Sequence, residues 1–308
     1  MSIQTAVKKV PSSDGVHTLW GKVYLPSGKI RGLFHVVHGM NEYTGRYDTF
    51  LEKMAETGYL SFCFDNLGHG RTAKNASELG FIARSDGWKY LIRDVRVFSD
   101  AVKEEYQIQK PYFLMGHSMG SFIVRCAALE EVQPDRLILM GSGGPNPLCP
   151  LGIRIAREIK KKKGERYVSD LLQSLVFGSY DRKFEGDYVG KWLCLDTENL
   201  KKYSQDPFCM FRFTVSAMED LMILHDRANS PAFFRGISED LPILFLSGRE
   251  DPVGDYGHGV RRVHEKLLKE GKKSYARLYQ GYRHEIFHDF CKEEVRKDIL
   301  SFLKKKDL

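Results

Sequence analysis

Apolar residues recur along this chain at two periods, and the two periods alternate. Short unbroken apolar runs of strand length give way to longer stretches in which apolar residues return every three or four positions. The spacing predicts an antiparallel opening pair over residues 3–10 and 17–25, then a buried strand over 32–37 that ends in His38-Gly39. A helix over 47–57 follows, with Phe50, Leu51, Met54 and Ala55 on one face. The next strand, 59–64, ends at Asp65. The longest helix, 86–106, carries Leu91, Val95, Phe98 and Val102, and strands over 112–115 and 136–140 come after it. Strands and helices in this order predict an α/β fold with a mainly parallel sheet and helices on both faces.

The alternation breaks at Gly141-Ser-Gly-Gly-Pro-Asn-Pro147, a run dense in helix and strand breakers. From there to Gly236 the pattern is helical, without a buried strand. It resumes with a strand over 242–247, a helix over 260–270, a strand over 276–279 and a last helix over 293–305. The expected organisation is therefore a core in two parts, residues 1–144 and 237–308, interrupted by a helical insertion over 145–236. Internal repeats and low-complexity tracts are absent.

Composition narrows the class. With 308 residues, 42% hydrophobic and 28% charged, the chain has the balance of a globular protein able to bury a sizeable core. No apolar stretch approaches the roughly 18 residues of a membrane span, and the first ten residues are too polar for a secretory leader. Six scattered cysteines without a CxxC pair read as free thiols in a reducing cytoplasm. The net charge of +7 raises the question of nucleic acid, but much of the excess sits in Lys160 to Lys163 and Lys304 to Lys306. Neither run is interleaved with aromatics, so solvated helix ends explain them better than a base-stacking surface. Metal-ligand spacings are also missing, and no cofactor is expected.

The chemistry concentrates at Gly116-His117-Ser118-Met119-Gly120, squeezed between an apolar strand and a helix whose apolar residues are Phe122, Ile123, Val124, Cys126, Ala127, Ala128 and Leu129. The bare pentapeptide would arise by chance in about one such chain in ten. Set between a strand and a helix, it has the form of the nucleophile elbow of α/β-hydrolases. The turn lifts Ser118 clear of the sheet and sets it at a helix N-terminus, where negative charge is favoured.

A serine hydroxyl needs a base, and the base needs an orienting acid. In this fold both come later, each just past a strand end, in the order acid then histidine. Asp251 follows the strand over 242–247, and His284 follows the strand over 276–279. Glu250 and Asp255 are rival acids, the first nearer the strand and the second deeper in the loop. His288 is a rival base one helical turn on. Asp251 beside Pro252 also fits a simple helix cap. His117, as Ser118's neighbour, points away from it and reads as a structural histidine. Two backbone N–H donors for an oxyanion are expected from Met119, directly after Ser118, and from Met40, after the bend at Gly39.

His38-Gly39-Met40-Asn41-Glu42-Tyr43-Thr44-Gly45-Arg46-Tyr47 resembles the HGxxEHxxRY stretch of monoacylglycerol lipases and bacterial lysophospholipases, and Asp65 to Arg71 is similar to their DxxGHGxS stretch. With the elbow and the Asp251 and His284 segments, the resemblance spans the whole core in order. It implies a serine hydrolase with a helical cap, acting on carboxylic esters such as monoacylglycerols or lysophospholipid-like lipids. Tyr43 replaces the usual histidine and Arg71 the usual serine, both expected near the entrance.

In this family the insertion is a cap that shapes the substrate pocket. Here it carries Phe177, Tyr180, Trp192, Phe208, Phe211 and Phe213, which suits a hydrophobic acyl group. Leu148, Leu151, Ile155 and Ile159 form a stripe beside Arg154, Arg157 and Lys160 to Lys163. The stripe fits either a helix packed on its apolar side or weak contact with an anionic membrane surface. A serine aminopeptidase is the alternative, requiring a cap acid such as Glu185, Asp187 or Glu219 to hold an ammonium group. A binding protein that lost catalysis fits less well, since every triad position has an occupant. Because those positions and both oxyanion donors lie outside the insertion, replacing it by a linker is expected to leave chemistry on a small ester partly intact while activity on long-chain esters collapses.

Overall fold

The computed structural model describes residues 3–109, 111–186 and 190–305, so Asp187 and Lys306 lie outside the described residues. Eight strands form one sheet: β1 (Gln4–Pro11), β2 (Thr18–Leu25), β3 (Gly32–Val37), β4 (Tyr59–Phe64), β5 (Tyr112–His117), β6 (Arg136–Met140), β7 (Ile243–Gly248) and β8 (Ser274–Tyr279). Their order across the sheet is β1-β2-β4-β3-β5-β6-β7-β8. β2 is antiparallel to both neighbours, and all pairs from β4 to β8 are parallel. The helices are α1 (Asp48–Glu56), α2 (Gly87–Tyr106), α3 (Met119–Glu130), α4 (Cys149–Lys163), α5 (Asp170–Phe177), α6 (Thr197–Gln205), α7 (Val215–Ala228), α8 (Pro231–Gly236), α9 (His258–Lys269) and α10 (Lys292–Lys304).

Two cores result from the period of two along each buried strand. Leu33, Leu60, Phe62, Leu114, Leu137, Leu139 and Phe245 face α2, α3 and α9, which contribute Val95, Phe98, Ile123, Val263 and Leu267. The alternate residues Phe34, Val36, Met115, Ile138, Met140 and Leu246 face Leu51 and Met54 of α1 and Val295 and Ile299 of α10. Because β3 and β5 to β8 are parallel, their C-terminal ends share one edge of the sheet. The strand expected over 112–115 runs on to His117, since Gly116 and His117 keep the ladder with Leu139 and Met140.

Between β6 and β7 the described chain is helical. α7 and α8 lie against α3 and share its core through Leu224, Phe233 and Phe234. The buried Arg125 of α3 joins these parts, donating to the Gly143 carbonyl at 3.3 Å and to Asn229 Oδ1 at 3.1 Å. α4 packs on α7 through Cys149, Ile153 and Ala156. The stripe read from the sequence is split: Leu148 is 67% and Leu151 54% exposed, whereas Ile155 and Ile159 are half-buried and pack against the same core. Gly152 lies under Met222 of α7, whose sulfur a Cβ there would meet at 2.7 Å. Among the described residues no helix is long and apolar enough to cross a membrane.

Candidate active site

At the end of β5 the backbone turns sharply. Ser118 has φ 53° and ψ −122°, a region that costs a non-glycine residue about 1–3 kcal/mol. The surroundings hold it there. Ser118 N–H donates to the Met140 carbonyl at 2.9 Å, and the glycines on either side permit contacts that no side chain would. A Cβ on Gly116 would lie 2.3 Å from the Gly120 carbonyl oxygen, and one on Gly120 would lie 2.1 Å from that of Val37. Ser118 is left half-buried at the start of α3. Met119 is the first residue of that helix, so its N–H has no acceptor within it.

The loops after β7 and β8 bring two further groups to the same edge. Asp251 and His284 are buried, and Asp251 Oδ2 lies 2.9 Å from His284 Nδ1. The carboxylate is fixed in turn by the Val253 N–H at 2.9 Å and the Ser247 hydroxyl at 3.3 Å. Burial disfavours charge on His284, but the Asp251 carboxylate outweighs it and raises the imidazole above its usual pKa. The imidazole lies beside the residues that flank the elbow: its centroid is 4.8 Å from that of His117, and a Cβ on Gly141 would touch its Cε1 at 2.9 Å. With Nδ1 turned to Asp251, Nε2 is the nitrogen left for a proton.

The rivals are placed elsewhere. Asp255 is exposed and pairs with Arg262 at 2.9 Å. Glu250 is only half-buried. His288 is half-buried, and desolvation, then Arg46, push its pKa down to about 3 against the opposing pull of Glu285 and Glu42.

On the other side of Ser118 lies the loop after β3. Gly39 packs on the serine, where a Cβ would come 2.8 Å from Ser118 Cβ. The Gly39 N–H donates to Glu42 Oε1, and Met40 N–H finds no acceptor among the described residues. Glu42 Oε1 also accepts from the Tyr47 hydroxyl at 2.9 Å and faces His117 Nδ1 at 2.8 Å. Burial works against the Glu42 carboxylate, yet His117 and Arg46 hold its pKa well below the usual range.

This buried polar layer extends further than the sequence reading reached. Arg46 makes a bidentate pair with Glu285 at 2.6 and 2.7 Å, across 239 positions of sequence. Burial opposes the charge on Glu285, and Arg46 reverses that, bringing its pKa to about 2. The available signal was position: Glu42 and Arg46 lie in the motif after β3, and Glu285 adjoins His284.

A stretch of the helical interval, residues 190–211, lies across both loops. His284 N–H donates to the Trp192 carbonyl at 3.4 Å, and Glu285 N–H to that of Leu193 at 2.6 Å. Arg283 reaches the Lys191 carbonyl at 2.6 Å, and Asn199 reaches Glu285 Oε2 at 3.2 Å. The Trp192 ring packs on His284 with centroids 4.9 Å apart, and Tyr180 then Phe177 stack edge-on behind it. The Tyr43 hydroxyl donates to Asp206 at 2.9 Å. Arg71 instead lies over the Trp20 ring, 4.5 Å away. Of the described interval acids considered for an ammonium group, Glu185 is exposed and Glu219 is taken by Arg157 and Lys160.

A parallel sheet with helices on both faces, a serine on a strained strand-to-helix turn, and an acid–histidine pair at the same edge define an α/β-hydrolase. Residues 28–290 match the model of the serine aminopeptidase S33 family, and the chain belongs to that family. It is 34% identical to the monoglyceride lipase of Mus musculus over 94% of this chain and 86% of that protein. A carboxyl esterase of Bacillus coagulans, solved in complex with glycerol, superposes with a TM-score of 0.90 at 26% identity, covering 98% of each chain. A soluble variant of the monoglyceride lipase of Saccharomyces cerevisiae shares the fold, with a TM-score of 0.75 at 20% identity over 99% of this chain and 96% of that one.

Proposed function

We propose that this chain hydrolyses carboxylic esters of lipid-like molecules, monoacylglycerols or lysophospholipid-like esters, through an acyl-enzyme. The observation that carries the reading is the buried Asp251–His284 pair at 2.9 Å beside the strained turn at Ser118. Ser118 Oγ adds to the ester carbonyl carbon while His284 Nε2 takes its proton. Asp251 orients the imidazole and stabilises the imidazolium. The carbonyl oxygen becomes an oxyanion that accepts from the N–H groups of Met40 and Met119. Collapse breaks the bond to the alcohol, which leaves with the proton from His284. Water then repeats the sequence and releases the acid.

In this reading residues 145–236 are the cap, set into a core of residues 1–144 and 237–308; most of its aromatic residues hold it together, and its apolar character suits an acyl group. The relatives named for monoglyceride and carboxyl esters support the substrate class. Leu148, Leu151, Leu171 and Leu175 are each more than half exposed and lie in the same interval as the basic run Lys160 to Lys163. These are the groups for weak contact with an anionic membrane surface. Six free, buried cysteines support a reducing, cytoplasmic setting.

The test is a fluorophosphonate probe, which should label the wild type and leave Ser118→Ala unlabelled. Turnover should fall about a millionfold in that variant, as it does when a triad nucleophile is removed. Retained labelling overturns the assignment. A panel of esters and aminoacyl amides decides substrate class, and preference for the amides overturns the ester reading.

A further inference from the structure

Asn41 is one of six described non-glycine residues with positive φ, at 57°. Asparagine is among the few residues that tolerate this left-handed conformation, so the backbone alone accounts for a glycine or asparagine here. It does not account for what the side chain does. The Asn41 amide donates to two backbone carbonyls of the interval, that of Cys209 at 3.1 Å and that of Phe211. Asn41 directly follows Met40, whose N–H finds no acceptor among the described residues.

The short loop is thus anchored on both sides of that donor. On the core side, Glu42 accepts from Gly39 N–H and is itself held by Tyr47 and His117. On the interval side, Asn41 grips the 209–211 backbone. The core anchor fixes where the loop begins, and the interval anchor fixes the turn that aims the next peptide. We infer that Asn41 is a positioning residue: it makes the direction of the Met40 N–H depend on engagement of residues 209–211 of the interval. The inference rests on the proposed role of Met40 as an oxyanion donor. Tyr43, two residues on, adds a second tie to the same stretch through Asp206, with its ring 5.1 Å from that of Phe208.

The experiment compares wild type, Asn41→Gly and Ser118→Ala on p-nitrophenyl butyrate, with binding of an alkylboronic acid measured alongside. The boronic acid becomes tetrahedral on the serine and places an oxygen where the oxyanion forms. Glycine keeps the left-handed turn without strain and removes only the two amide bonds, so Tm should stay close to wild type. Losing a whole oxyanion donor costs on the order of 100- to 1,000-fold in kcat. A misaimed donor should therefore cost about 10- to 100-fold, with KM within about twofold and boronate affinity falling in step with kcat. Asn41→Asp sets an acceptor against the same two carbonyls and should lose at least as much. Unchanged kcat and boronate affinity in Asn41→Gly, or a loss confined to KM, overturns the inference. Activity and boronate binding retained by Ser118→Ala overturn the nucleophile assignment and this inference together. An inactive Ser118→Ala beside a fully active Asn41→Gly overturns this inference alone.

Discussion

The C-terminal edge of the sheet and the 190–211 stretch meet at His284, yet they are built by opposite means. The edge is an extension of strands: β3, β5, β6 and β7 are buried and held by a ladder on both sides and by cores on both faces, while β8 closes the sheet with one ladder, to β7. The stretch across it has only a small cluster of its own, Leu193, Cys194 and Leu200. It is attached by individual hydrogen bonds, two each from Asn41 and Arg283 and one each from Tyr43, His284 and Glu285. Every group proposed for chemistry belongs to the edge. The groups that aim two of its loops belong to the stretch. Location and orientation are thus assigned to different parts of the molecule, and sequence order reports only the first.

The largest effect expected is on the edge itself. Asp251→Asn favours the wrong tautomer of His284 and should cost roughly 10,000-fold in kcat, by analogy with the serine proteases. Asp255→Asn, at an exposed residue paired with Arg262, should leave the rate near wild type; a reversal of the two outcomes would move the acid. Next comes the stretch. Replacing residues 180–211 by a flexible linker keeps α4, α7 and α8 on the core but removes the acceptors of His284 N–H, Glu285 N–H and Asn41. Loss of near-ångström alignment costs about 100-fold, so hydrolysis of p-nitrophenyl acetate should fall by that order. Long-chain esters should fall further, since each buried methylene contributes about 0.8 kcal/mol. Acetate hydrolysis at the wild-type rate would restore the simpler expectation that the core works alone.

The smallest effect is on pH dependence. Burial lowers the His284 pKa, and Asp251 raises it more, so it stands above its ordinary value. A base must be neutral, so kcat/KM should be full above that raised value and decline as pH falls through it. Glu285 adds a lesser upward contribution, so Glu285→Gln should move the acid limb slightly to lower pH. An unmoved limb would mean that the titrating base is not beside Glu285.

Much of the edge was legible because burial on both faces leaves continuous apolar runs in β5 and β7, and strand-end logic then leads to Ser118 and Asp251. His284 follows β8, a half-exposed terminal strand that gives a weaker run. The α4 stripe reported only half of the packed face, Ile155 and Ile159, for a physical reason. Periodicity counts large apolar side chains, whereas the α4 contact also uses small ones beside Ile153, here Cys149 and Ala156. The Arg46–Glu285 pair was not legible because no local pattern joins residues 239 apart. The grip of Asn41 on the interval was hidden likewise, since backbone carbonyls leave no mark on sequence.

The contact of Trp192 with His284 also makes the site observable without a substrate. A protonated imidazole accepts an electron from an excited indole and quenches its emission, whereas a neutral imidazole does so poorly. With the rings 4.9 Å apart, Trp192 reports the charge state of its neighbour. The chain has only two other tryptophans, Trp20 and Trp88, each stacked against surface cations rather than a buried histidine. Once those two are replaced by phenylalanine, a fluorescence titration becomes a direct electrometer for His284, readable even in a variant whose nucleophile has been removed.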